Sequence, residues 1–223
     1  GDWWGGAGGG TVAHAAIAAF LGDSCEAMRA FSQVLPVEIP RSALVDFNND
    51  CVNDSLQVCE AMFQIYRELV DANQLEEAER YRLYGVRLDT SASLRDVSVP
   101  PLGDAALDMG VNPRLVFLTR QALDAAWENW DLPAGWRERA RQYCQSVKIV
   151  VSGGFNPEKI QRVEKLNVPV DIYAVGSALF SNSSATVTDF TADVVRIKVD
   201  NHWVDMAKVG RKACDNPNLE RIW

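Results

Sequence analysis

The chain has 223 residues, enough for one large domain or two small ones, and its 48% hydrophobic and 23% charged content is that of a globular protein. Thirty acidic against 22 basic residues leave a formal charge of −8, which argues against a nucleic-acid-binding or anionic-membrane surface while leaving room for one basic pocket that holds a phosphate. The longest apolar run, residues 12–21, contains a histidine and is too short to cross a bilayer, and no basic-then-apolar leader opens the chain, so the expected location is the cytoplasm.

In chain order, a glycine-rich opening (six of the first ten residues, starting at Gly1) suggests that the sequence begins inside a longer protein. It runs into an apolar helix-like segment closed by Gly22. Asp23 or Ser24 is expected to cap a second helix with Ala27, Met28, Phe31 and Leu35 on one face, ended by Pro36. SALVDF (42–47) reads as a buried strand ending in an acid, and a helical stretch follows from about Val52 to Arg82. LYGVRLD (83–89) is a second strand, again ending in an acid, and 90–112 is an irregular loop with two prolines and two glycines. Helices are expected from Pro113, capped by Asn112, to about Trp130, and again from Pro133. VKIVVS (147–152) is the third strand, followed by a glycine turn into a helix with Asn156 and Pro157 at its cap and first position. PVDIYAVGS (169–177) is the fourth, and the tail from Thr186 alternates as short strands.

Strands separated by helices imply β-α-β units and a parallel sheet, either a barrel or a doubly wound layer. In both, ligands sit at the carboxyl ends of the strands, where this sequence puts Asp46, Arg87 to Asp89, Ser152 to Gly154, and Gly176 with Ser177. SGGFNPEK is the best local signal: paired glycines let the backbone approach a ligand, and the helix start offers N–H groups to an anion, although an ordinary strand-to-helix turn has the same composition. The glycine–serine turn AVGSAL follows one unit later, and two consecutive turns holding one phosphate is a recurrent barrel arrangement.

GVRLDT carries Arg87 and Asp89 two residues apart and so on one face of a strand, where they either pair with each other or meet a ligand. LVDFNND fails as a calcium loop, since its sixth position is Cys51 and its twelfth is Gln57. His14 follows the glycines on an apolar segment, a place where a packed core histidine is also common. Five cysteines (Cys25, Cys51, Cys59, Cys144 and Cys214) without a CxxC pair read as buried thiols of a reducing compartment, and two histidines exclude a His-rich metal site. There is no GxSxG elbow, no Walker motif, no HExxH and no dinucleotide fingerprint.

Taken in order, GTVAH, ALVDF, GVRLDT, VSGGFNPEKI and YAVGSAL resemble the nicotinate phosphoribosyltransferase family, a type II phosphoribosyltransferase, and the closing AKVGRK and NPNLERI resemble its C-terminal segment. The likeness implies an irregular parallel α/β barrel over residues 1–185 with a short β-rich segment at 186–223, the family's N-terminal α/β domain being absent. It implies transfer of a phosphoribosyl group from phosphoribosyl pyrophosphate (PRPP) to nicotinate, giving nicotinate mononucleotide for NAD salvage, with magnesium and with ATP hydrolysis coupled through a phosphohistidine. On this resemblance His14 is the phosphorylated residue with Thr11 beside it, and Asp46, Arg87, Asp89 and Thr90 lie near the ribose and PRPP. Ser152, Gly153, Gly154, Gly176 and Ser177 would hold the ribose phosphate. Where many members carry S-G-D after the R-x-D, this chain has Thr90, Ser91 and Ala92, nearer the shorter archaeal-type enzymes. The alternatives are nicotinamide or quinolinate specificity, or a catalytically silent phosphate-binding fragment or paralogue. By analogy the family implies a homodimer; which acid meets magnesium is left open.

Overall fold

A computed structural model of the chain describes residues 12–176, 178 and 192–213. Thr11, Ser177, Cys214, the serine side of the AVGSAL turn, the NPNLERI segment and the expected domain boundary at 185/186 lie outside the described residues. Within them the elements are α1 (His14–Ala19), α2 (Ser24–Val34), β1 (Arg41–Leu44), α3 (Cys51–Asp71), α4 (Leu75–Glu79) and β2 (Leu83–Leu88). There follow α5 (Ala105–Asp108), α6 (Pro113–Ala125), α7 (Arg137–Ser146), β3 (Lys148–Val151), α8 (Pro157–Lys165), β4 (Ile172–Tyr173), β5 (Arg196–Val199) and β6 (His202–Asp205). Among the described residues no helix is long and apolar enough to cross a membrane.

The fold is α/β, built on one parallel sheet whose strands neighbour each other in chain order, β1-β2-β3-β4. Sequential order is what consecutive β-α units build when each crossover returns to the next position, and a doubly wound layer would reverse at a switch point. β1 is buried along its whole length and β3 carries an unbroken apolar run from Ile149 to Val151, as on a sheet covered on both faces. Gly85 in β2 has a local reason to be glycine, since a Cβ there would lie 2.8 Å from the carbonyl oxygen of Lys148 on β3.

The helices stop where backbone chemistry stops them. Asp23 caps α2 by accepting the Glu26 N–H at 2.9 Å, and the chain turns extended at Leu35 before Pro36. The single helix expected over 52–82 is two, α3 and α4. Asn73 adopts φ 60°, the Gln74 N–H reaches the Leu69 carbonyl at 2.8 Å, and the Asn73 N–H reaches that of Val70 at 3.0 Å. This left-handed cap is usually glycine, so asparagine concealed it. The helix expected to run to Trp130 is α only to Ala125 and tightens into a 3₁₀ turn over Ala126–Asn129; the one from Pro133 opens with a 3₁₀ turn before α7. The fourth strand shrinks to two residues; just before it Asp171 clasps Ile149 on β3, its N–H donating to the Ile149 carbonyl at 3.0 Å and its carboxylate accepting the Ile149 N–H at 2.7 Å.

The core is continuous from α1 to α8. Phe63 on α3 stacks on Trp130 with ring centres 4.9 Å apart and meets Tyr143 and Trp136 edge-on. The Tyr143 hydroxyl donates to the Tyr81 carbonyl at 2.8 Å and accepts the Leu83 N–H at 2.9 Å, which fixes the start of β2. Cys51, Cys59 and Cys144 are buried free thiols as expected, whereas Cys25 is half-exposed because α2 turns it toward a polar surface cleft. Beyond the sheet, β5 and β6 form an antiparallel hairpin, turned by Asp200 and Asn201 at φ 45° and 65°.

Candidate active site

The carboxyl ends of the parallel strands collect the polar side chains. β1 ends at Leu44, three residues before the expected boundary, and the Asn49 N–H bonds back to the Asp46 carbonyl at 3.1 Å; Asp46 therefore stands just beyond the strand. Arg87 is the penultimate residue of β2 and Asp89 follows its end, so strand alternation points both to one face. Ser152 follows β3. Its hydroxyl donates to Asp89 Oδ1 at 2.7 Å and accepts from Arg87 Nη1 at 3.3 Å.

His14 enters from α1. Its Nε2 lies 3.0 Å from Asp46 Oδ1 and 3.9 Å from Asp89 Oδ2. The imidazole is one-fifth exposed, neither sealed in the core nor free on the surface. Arg87 Nη2 donates to the Val12 carbonyl at 2.9 Å and holds this entry segment against the sheet, while Nη1 stands 3.8 Å from Asp89 Oδ2. Arg87 is thus shared among a backbone carbonyl, a serine and a carboxylate, more than the simple Arg–Asp pair that spacing alone allows. Its Nε is buried with no hydrogen-bond partner among the described residues.

After Ser152 the backbone enters the left-handed region twice, at Gly153 (φ 85°) and Gly154 (φ 71°), which folds the turn tightly before Asn156 caps α8 by accepting the Lys159 N–H at 2.8 Å. Arg87, Ser152, Gly153, Gly154 and Gly176 line a cleft of about 320 Å³. The expectation that Asp46 shares this cleft needs correction: its side chain is fully buried and is not among the lining residues, because His14 covers one oxygen and Lys208 the other. Thr90 is also turned inward, 1% exposed, with its hydroxyl 3.4 Å from Cys51 Sγ, since alternation sends it opposite to Asp89.

Lys208 is the residue that sequence reasoning did not single out. It lies beyond β6, is 5% exposed, pairs with Asp46 Oδ2 and donates to the Asp89 carbonyl at 3.0 Å. The available signal was its alternation with the inward-facing Val204 and Met206. Burial raises the Asp46 carboxyl, but the hydrogen bond from His14 and the charge of Lys208 outweigh it and hold Asp46 below the ordinary aspartate range. Asp46 is therefore a fixed anion, and the two acids are balanced by Arg87 and Lys208.

His14, Asp46 and Asp89 each offer one ligand atom, all within 4.8 Å of one another. The set does not fit resident magnesium, which demands oxygen donors in octahedral array, because it supplies an imidazole nitrogen and because Asp46 is already bound to a lysine. A larger cavity of about 520 Å³ lies at the opposite end of the strands, beside Arg120, Asp124, Lys148 and Asp171. There Arg120 pairs with Asp124 at 2.7 Å and donates to the Val147 and Cys144 carbonyls, so its charge is already spent within the fold. The strand-end cleft is the better site.

The chain matches no protein-family model, and no curated protein matches it. Among solved structures it is similar to the crystal structure of nicotinate-nucleotide pyrophosphorylase from Pyrococcus furiosus, with 26% sequence identity and a TM-score of 0.48 over 95% of this chain. The match spans 40% of the length of that protein.

Proposed function

We propose that the chain is a nicotinate phosphoribosyltransferase, moving the phosphoribosyl group of PRPP onto the ring nitrogen of nicotinate and releasing pyrophosphate, in NAD salvage. One observation carries this reading: motifs far apart in sequence, at His14, Asp46, Arg87 with Asp89, and Ser152 to Gly154, converge at one end of the parallel sheet. The resemblance in sequence supplies the chemistry that such a convergence would serve.

In this reading Arg87 and the 152–154 turn receive the ribose phosphate, with the unpartnered Arg87 Nε as a further donor. Asp89, fixed by the Ser152 hydroxyl, accepts from a ribose hydroxyl and stabilises the positive charge that builds on the ribose as the bond to pyrophosphate breaks and the nicotinate nitrogen bonds to carbon. Magnesium enters as part of the PRPP substrate. Because Nε2 of His14 faces Asp46, Nδ1 carries the free lone pair. Nδ1 attacks the terminal phosphorus of ATP, ADP leaves, and water later removes the phosphoryl group. Asp46 stabilises the cationic imidazole while the phosphoryl group is bound.

The test is an assay of the chain with PRPP, magnesium and each of nicotinate, nicotinamide and quinolinate, with and without ATP, followed by chromatography of the nucleotide product. Nicotinate mononucleotide formation, stimulated by ATP and losing that stimulation in His14→Ala, is the expected result. Preference for another pyridine moves the specificity. Phosphate binding without turnover of any of the three would leave only a silent phosphate-binding protein.

A further inference from the structure

The spacing of His14 Nε2, Asp46 and Asp89 is that of a divalent-cation site, one imidazole with two carboxylates, yet one of the carboxylates is already taken by a cation of another kind. Lys208 pairs with the buried Asp46 Oδ2, and the same ammonium donates to the Asp89 carbonyl at 3.0 Å, so it bridges the ends of β1 and β2. It is not a loose surface lysine. It is 5% exposed, and the adjoining Val209 N–H donates to the Phe47 carbonyl at 2.9 Å, which stitches this segment to the chain just after Asp46.

Two properties follow from elementary electrostatics. An Asp46 without the lysine would be a sealed carboxylate whose only compensation among the described residues is a histidine, a state that burial penalises strongly. A divalent ion bound by Asp46 and Asp89 would stand close to the ammonium and meet twice the repulsion that a unit charge meets at the same separation. The lysine and the ion therefore compete for the Asp46 carboxylate.

We infer that Lys208 is the resident cation of this site. It neutralises the Asp46 carboxylate that a divalent ion would need beside His14 and Asp89, and it fixes Asp46 against the imidazole as a positioning residue. The inference concerns the resting protein and holds whatever group the site transfers.

Cobalt titration of the chain, read by the visible absorbance of Co²⁺, tests it without any activity assay. Wild type and Lys208→Arg, which keeps the charge, should show no binding that depends on His14. Lys208→Met, similar in length but neutral, should bind Co²⁺ at least roughly tenfold more tightly, and His14→Ala added to it should remove that gain. Lys208→Met binding no better than wild type would overturn the idea, as would Co²⁺ binding by wild type that disappears in His14→Ala. If circular dichroism shows Lys208→Met unfolded, the comparison of wild type with His14→Ala decides alone: His14-dependent binding refutes, and its absence supports.

Discussion

At the scale of single residues, Asp46 and Asp54 show opposite uses of a buried acid. Asp46 is held charged by His14 and Lys208, so its folded-state pKa is below that of the unfolded chain, and the stability it contributes is present above about pH 4 and lost as pH falls through the lower folded value. Asp46→Asn leaves a buried ammonium without its counter-charge. It should cost about 3–5 kcal/mol at neutral pH, read as a lower urea midpoint. Asp54 is pushed up to about 6 by burial, opposed by the Asn48 amide that donates to it at 3.0 Å and reinforced by the neighbouring Asp50 and Asp96. Between about pH 4 and pH 6 the folded state holds more proton at Asp54 than the unfolded one, so stability falls as pH rises through that window. Asp54→Asn should remove this fall. The urea midpoint of the variant relative to wild type should therefore climb between pH 4 and pH 6 and then level off, and a flat difference would show that folding does not raise the Asp54 carboxyl.

Elements are held by groups that satisfy their ends. Arg41 opens β1 and is 2% exposed; its guanidinium donates to the carbonyls of Leu35 at 2.9 Å, Pro36 at 2.7 Å and Arg80 at 2.9 Å, and also to that of Ile39. One side chain thereby terminates α2 and ties it to the end of α4. Arg41→Met keeps the apolar stem but orphans these carbonyls, and should lower stability by at least about 3 kcal/mol in urea unfolding, well beyond what loss of a surface charge does. The β3–α8 turn depends on Gly153 at φ 85°, where a Cβ finds room (3.5 Å from the Thr90 carbonyl oxygen) but the backbone conformation does not suit an L-residue. Gly153→Ala should cost about 1–2 kcal/mol in a thermal melt while the far-ultraviolet dichroism stays the same.

For the molecule as a whole, a ligand that binds only the folded state raises its stability by mass action. If the cleft between the 152–154 turn and Gly176 takes a phosphate, inorganic phosphate should raise the melting temperature above that in chloride of equal ionic strength. Arg87→Ala should abolish the increment even if its own melting temperature is lower. An increment unchanged in that variant would place the anion elsewhere.

The alternation of strands and helices, hence a parallel sheet, and the placing of chemistry-bearing residues at strand ends were legible along the chain, because period-two and period-3.6 patterns and the caps at Asp23, Asn112 and Asn156 are local physics. So was the shared face of Arg87 and Asp89, which alternation along one strand fixes. Where a local rule was met by an unusual residue, as in the left-handed cap at Asn73, the pattern misled. Which end-of-strand groups touch depends instead on how segments far apart in the chain pack together. Thr90 and Asp89 are neighbours in sequence but diverge, and Asp46 is shut away from the cleft that Arg87 lines. Lys208 joins Asp46 and Asp89 from far along the chain, because a buried carboxylate takes its counter-charge from whichever segment packs over it, and no spacing in the sequence records which segment that is.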